Sequence, residues 1–238
     1  MGDFPSLREM LGSFELLVLG CFLLDLLNRY LGFHLAAARP SAFFSPVPIH
    51  AKGTCVSQDV VLIGPIGVGK STQGRLLSEA LSLPQCSMDQ YRWDYYREIG
   101  YDEEFDQRLG AHVGFWGRYL YWKEFECHAV ERLLSEHRDC VIDLGGGHSV
   151  YEIDTHFSRV RSALEPYRNV VLLLPSSDLD ESVQILNERQ GKSQSDEMDI
   201  NEHFTRHHSN FDLAKFTVYT KDKTPEETRD EILTHMGP

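Results

Sequence analysis

Hydrophobic and polar positions fall into two regimes along this chain. From residue 59 onward, short unbroken apolar runs alternate with segments whose apolar positions recur at helical spacing, the pattern of a parallel sheet flanked by helices. Val60-Val61-Leu62-Ile63 predicts a buried parallel strand, and Leu76, Leu77, Ala80 and Leu81 predict a helix after it. A second strand or loop follows Pro84, and a helix is expected over 90–99. Residues 115–134 read as a long helix with Trp116, Tyr119, Leu120, Phe125, Val130 and Leu133 on more than one face. Further strands are expected to end at Asp143 and to cover 170–175 and 216–220, with helices over 178–190 and 225–236. The polar stretch 191–200 reads as a lid, because lids come from segments with little apolar burial.

Before residue 56 the pattern differs. Residues 11–35 are rich in Leu and Phe, but the densest run, 16–24, is well short of the roughly 20 apolar residues that span a bilayer. Glu15, Asp25 and Arg29 interrupt the segment, each costing about 2.5–3.5 kcal/mol at a membrane centre, although Asp25 and Arg29, four apart, partly offset one another. An apolar helix packed on another surface fits better than a membrane span, and a weakly ordered extension without function fits equally well. Membrane contact through 11–35 stays open but is not favoured. Asp3, Arg8 and Glu9 are a poor match to the basic start of a secretory signal. Pro40, Pro46 and Pro48 then predict an extended linker. The expected division is an extension and linker over 1–55 and a folded domain over 56–238.

Composition narrows the partners. The 238 residues are 42% hydrophobic and 25% charged, a globular balance. Lys and Arg number 23 against 36 Asp and Glu, a net charge of −13, so the basic stripe that nucleic acid requires is absent from the expectation. The five cysteines are scattered without CxxC spacing, which favours a reducing, cytoplasmic setting over a disulfide framework.

The sharpest chemical signal is Gly64-Pro65-Ile66-Gly67-Val68-Gly69-Lys70-Ser71-Thr72, a GxxxxGKS loop that leaves a predicted strand and opens a predicted helix. Glycines let backbone N–H groups turn inward around a phosphate, and the following helix adds its positive end. Lys70 then reaches the β- and γ-phosphates of ATP, and the Ser71 hydroxyl is placed to ligate Mg²⁺. A glycine turn that binds nothing is a poor competitor, since loop and flanks agree. Asp143 ends a strand that opens into Gly145, Gly146 and Gly147. Ligands gather at the carboxyl ends of parallel strands, so Asp143 is a candidate for Mg²⁺ and the glycines for an anionic substrate. Asp89 either orients and deprotonates an attacking hydroxyl or caps the following helix.

These residues resemble the shikimate kinase family, P-loop small-molecule kinases of the nucleoside-monophosphate-kinase-like group, from about residue 60 to 233. The resemblance implies a three-layer α/β fold with a parallel sheet and a lid, and transfer of the γ-phosphoryl group of ATP to a hydroxyl of a small anionic acceptor. VIDLGGG stands where the family has its substrate loop, and Trp122-Lys123-Glu124-Phe125-Glu126 resembles an aromatic-Arg-x-x-Glu element. By resemblance Lys123 meets the substrate carboxylate, with Glu126 as its partner, although Lys presents a point charge where Arg presents a fork. Ser87-Met88-Asp89 keeps one carboxylate of the family's Asp-x-Asp pair. Arg189 resembles a lid-base arginine on the nucleotide, with Lys192 as a lid cation, and Arg206 a second carboxylate-binding arginine. The loop from Lys221 through Asp222 to Pro225 resembles the adenine-facing segment. The departures leave two alternatives open: a nucleoside, nucleotide or sugar-acid kinase, and a nucleotide-binding regulatory protein with little transferase activity.

Overall fold

The computed structural model describes residues 59–191 and 199–236. β1 (Val60–Ile63) runs through the glycine loop into α1 (Lys70–Leu81), and β2 (Gln85–Ser87) passes directly into α2 (Met88–Glu98). Next come α3 (Glu103–Glu136), β3 (Val141–Asp143), α4 (Asp154–Leu164), β4 (Asn169–Leu174) and α5 (Leu179–Gln190). The chain ends in α6 (Ile200–Arg206), α7 (His208–Leu213), β5 (Phe216–Tyr219) and α8 (Pro225–Met236). The strands form one parallel sheet in the order β2-β3-β1-β4-β5.

Alternation along each strand sends side chains to two cores. Val61, Ile63, Ile142, Val170 and Leu172 face one side, where Tyr95 and Tyr96 of α2, Val130 and Leu133 of α3 and Val160 of α4 cover them. Val60, Leu62, Val141, Val171 and Leu173 face the other, against Leu77 of α1, Leu186 of α5 and Ile232 of α8. Both faces being covered explains the unbroken apolar runs, and the result is the expected three-layer α/β arrangement.

Four elements differ from the sequence reading. α3 starts at Glu103 rather than near 115, where the Asp102 side chain accepts from Phe105 N at 2.9 Å and caps it. Gly114 (φ 72°, ψ −167°) breaks it, so the helix expected over 115–134 is its second half. α2 begins at Met88, placing Asp89 in its first turn, and neither α4 nor α6 had a counterpart in the sequence reading. Residues 1–55, and with them the apolar segment 11–35 and the linker, lie outside the described residues, as do Lys192 and most of the lid segment. Among the described residues no helix is long and apolar enough to cross a membrane.

Candidate active site

The strand register sets the site. Leu62 of β1 pairs with Asp143 of β3, and Asp143 pairs with Ser87 of β2, so three strand ends meet at one level of the carboxyl edge. The phosphate loop leaves β1 there. Gly64 sits at φ 134° against β4, where a Cβ would lie 2.4 Å from Leu173 O, and Gly69 at φ 107° faces open space, with nothing within 4 Å of a Cβ position. Neither place accepts another residue without strain or loss of the cradle.

Lys70 is buried and donates to the carbonyls of Gly64 and Pro65, each at 2.8 Å. Burial pulls its ammonium down from 10.5 to about 8, and the charges of Asp143 and Asp89 oppose that fall. Asp143, also buried, accepts from Ser71 Oγ at 3.2 Å and Ser87 Oγ at 2.9 Å on one oxygen, and from Gln85 Nε2 at 2.7 Å on the other. The structure therefore brings Ser71, Asp143 and Lys70 together as expected, and adds Ser87 and Gln85, which sequence reasoning missed. Their contribution arises from β2 lying beside β3, which only the strand order reveals.

Gly145, Gly146 and Gly147 are required by close approach. A Cβ on Gly146 would lie 2.4 Å from Ile66 Cγ1 of the phosphate loop, and one on Gly147 would lie 2.6 Å from Glu126 Oε1. Lys123 stands behind this loop, fully buried. It donates to Glu126 Oε2 at 2.5 Å and to the carbonyls of Gly147 and Val150, both at 3.1 Å, and lies 4.0 Å from the centroid of the Tyr119 ring. An ammonium has three donors, and all three are spent inside the protein.

The remaining residues expected at the site are spread around this centre. Asp89 is exposed, its Oδ1 3.4 Å from Arg92 Nη1. Arg189 Nη1 donates to Gly67 O at 3.4 Å, and the neighbouring Gln190 donates to Ile66 O at 3.2 Å, so the end of α5 touches the phosphate loop. Pro225 opens α8 and its carbonyl accepts from Gln73 of α1 at 2.9 Å, while Asp222 forms the left-handed turn after β5 (φ 57°). Arg206 is not brought to the centre by its contacts: its guanidinium pairs with Asp180 and with Glu202, the latter at 3.2 Å.

Two clusters have no sequence signal. His148 is buried and within 3.1 Å of Tyr96 OH through Nε2, with Nδ1 unpartnered, and burial lowers it to about 4, so it stays neutral. Glu152, His203 and His207 bring three ligand atoms within 4.8 Å of one another. However, Nδ1 of His207 accepts from Ser209 N and caps α7, which occupies the one lone pair of a neutral imidazole.

The arrangement as a whole matches known proteins. The family model for shikimate kinase matches residues 66–237. A shikimate kinase of Streptomyces coelicolor is 31% identical over 183 residues, covering 73% of this chain and 92% of the relative. One of Streptomyces avermitilis is 30% identical, covering 73% and 92%. Among solved structures, a shikimate kinase from Acinetobacter baumannii in complex with shikimate superposes with a TM-score of 0.50 at 20% identity, covering 75% of this chain and 92% of that one. The fold is that of the P-loop nucleoside-monophosphate-kinase-like proteins.

Proposed function

This chain belongs to the shikimate kinase family, and from that premise we propose how its residues carry out phosphoryl transfer and on what acceptor. It is an ATP-dependent small-molecule kinase, a phosphotransferase acting on a hydroxyl group. The acceptor in our reading is a small hydroxylated anion, with shikimate the first candidate because the relatives carry that name.

The residues fit a magnesium nucleotide. The cradle at Gly69 is open, Lys70 waits on loop carbonyls that phosphate oxygens can replace as partners, and Ser71 with Asp143 offers the oxygen donors a hard cation takes. Bound there, Mg²⁺ supplies charge neutralisation for the transferring phosphoryl group. Lys70 holds the β- and γ-phosphates, and Arg189, which donates to Gly67 O of the loop, meets the nucleotide beside it. Asp222 and Pro225 border the adenine. Asp143 does the metal-side work that the family's first Asp does, from the strand position paired with Ser87. Asp89 accepts the proton of the attacking hydroxyl and holds its oxygen in line. Gly145, Gly146 and Gly147 bring the backbone close to acceptor and phosphate loop. Lys123 acts behind them, bolting the loop to α3 through Gly147 O and Glu126 rather than reaching the acceptor.

One observation carries this reading: the buried Lys70 of the phosphate loop and the Ser71 hydroxyl that donates to Asp143 at the end of β3 put a phosphate-binding cation and a cation-binding carboxylate at one edge of the sheet. In this reading the kinase domain spans 56–238, and the buried free thiols Cys86, Cys127 and Cys140 support a reducing, cytoplasmic setting. Asp89→Asn is expected to lower acceptor-dependent ADP release by about 10²–10⁴-fold with ATP binding unchanged. Unaltered turnover in that variant would remove Asp89 from the mechanism.

A further inference from the structure

The glycine loop is fastened at both ends. Lys123 ties Gly147 to α3, and at the other end Gly145 is held by His148. The His148 backbone N–H donates to Gly145 O at 3.0 Å and closes the turn, and the His148 carbonyl accepts from Tyr151 OH at 3.0 Å. Its ring folds back on the loop, so that a Cβ on Gly145 would lie 2.6 Å from Nδ1. Nε2 meets Tyr96 OH at 3.1 Å, with the two ring planes 28° apart. Tyr96 follows Asp89 by seven residues on α2. Seven residues make about two turns, so both lie on one stripe of the helix, and the bond to His148 places that stripe against the glycine loop. His148 is 2% exposed and its Nδ1 has no hydrogen-bond partner. Packing alone gives no reason for an unpaired buried polar atom, because an apolar side chain of similar size would fill the space without that cost. The histidine is explained instead by what its Nε2 holds.

Resting on the reading of the space between Asp89 and the glycine loop as the acceptor site, we propose that His148 and Tyr96 are positioning residues for phosphoryl transfer. Their bond holds the glycine loop at a fixed distance from the helix that carries Asp89, so that the acceptor hydroxyl meets Asp89 and the phosphate in line. Neither side chain touches the acceptor or moves a proton. Burial pulls the His148 ring from 6.5 to about 4, so the link is a bond between neutral groups. It bears on rate because the glycine loop also abuts the phosphate loop: a Cβ on Gly146 would lie 2.4 Å from Ile66 Cγ1. A slip of the glycine loop along α2 misaligns acceptor and nucleotide together, and a misplacement of about 1 Å costs about 100-fold in rate.

The test compares the wild type with His148→Leu, Tyr96→Phe, the double variant and His148→Gln as full chains, following acceptor-dependent ADP release and urea unfolding for each. Shikimate is tried first as acceptor, then hydroxylated acids, sugars and nucleosides. His148→Leu and Tyr96→Phe should each lower kcat about 10- to 100-fold with the KM for ATP unchanged. Tyr96→Phe carries the test by itself if His148→Leu does not fold. The double variant should fall no further than either single one, because both remove the same bond. It should also unfold close to the wild-type midpoint, since replacing both partners of a buried hydrogen bond by apolar groups is nearly neutral. His148→Gln, whose amide nitrogen reaches the place of Nε2, should recover most of the rate. Unchanged turnover in the single variants, additive losses, or a rate that falls only in step with stability and takes the KM for ATP with it overturns the positioning role and leaves the kinase reading standing. No release by the wild type with any acceptor overturns both.

Discussion

Lys123→Met separates a bolt from a clamp. In the structure the Lys123 ammonium is fully buried with the Glu126 carboxylate, feeds the carbonyls of Gly147 and Val150, and lies over the Tyr119 ring. Removing one partner of a buried ion pair costs about 3–5 kcal/mol because the other charge is left uncompensated, and the two carbonyls lose donors worth about 1 kcal/mol each. These contributions overlap, so the expected loss is about 4 kcal/mol, a large part of the roughly 5–15 kcal/mol that stabilises a typical domain. At a urea slope of about 2 kcal/mol/M the unfolding midpoint should fall by about 2 M. Lys123→Met/Glu126→Gln should be less destabilised than Lys123→Met alone, since no charge is stranded. A single variant that loses under about 1 kcal/mol yet weakens acceptor binding would refute the reasoning and return Lys123 to the acceptor.

Three further outcomes follow from the phosphate loop and the carboxylate beside it. Burial holds Lys70 near 8 in the free enzyme, so it is charged below that pH and loses its charge above it; kcat/KM for ATP should fall as pH rises through about 8, while kcat, measured with phosphates on the lysine, should not break there. The unfolded chain, with Lys70 near 10.5, binds more protons between pH 8 and 10.5, so the contribution of this group to stability rises with pH across that window. Asp143→Asn keeps the hydrogen-bonding shape around Ser71, Ser87 and Gln85 but removes the charge, and should raise the magnesium concentration for half-maximal rate by about 10-fold or more; an unchanged magnesium dependence would place the metal elsewhere.

What the sequence made legible was local. The loop from Gly64 to Thr72 carries its strand, turn and helix within one stretch of chain, and the apolar runs declare a sheet buried on both faces. Asp143 was legible because a strand end followed by glycines marks a ligand edge. Its partners were not, because Ser87 and Gln85 reach it only through the register of β2 against β3, which no spacing encodes. The first half of α3 was hidden by Gly110 and Gly114, which lower helical expectation; the Asp102 cap starts the helix regardless, and Gly114 breaks it just before the half that the sequence declared.

The most direct measurement incubates the full chain with magnesium, γ-labelled ATP and shikimate, followed by a panel of hydroxylated acids, sugars and nucleosides, and looks for label in the acceptor. The account predicts label on the hydroxyl of a small carboxylate, abolished by Lys70→Ala in a protein that keeps its fold by circular dichroism. ATP binding with no label in any acceptor would contradict it, as would label that persists without Lys70.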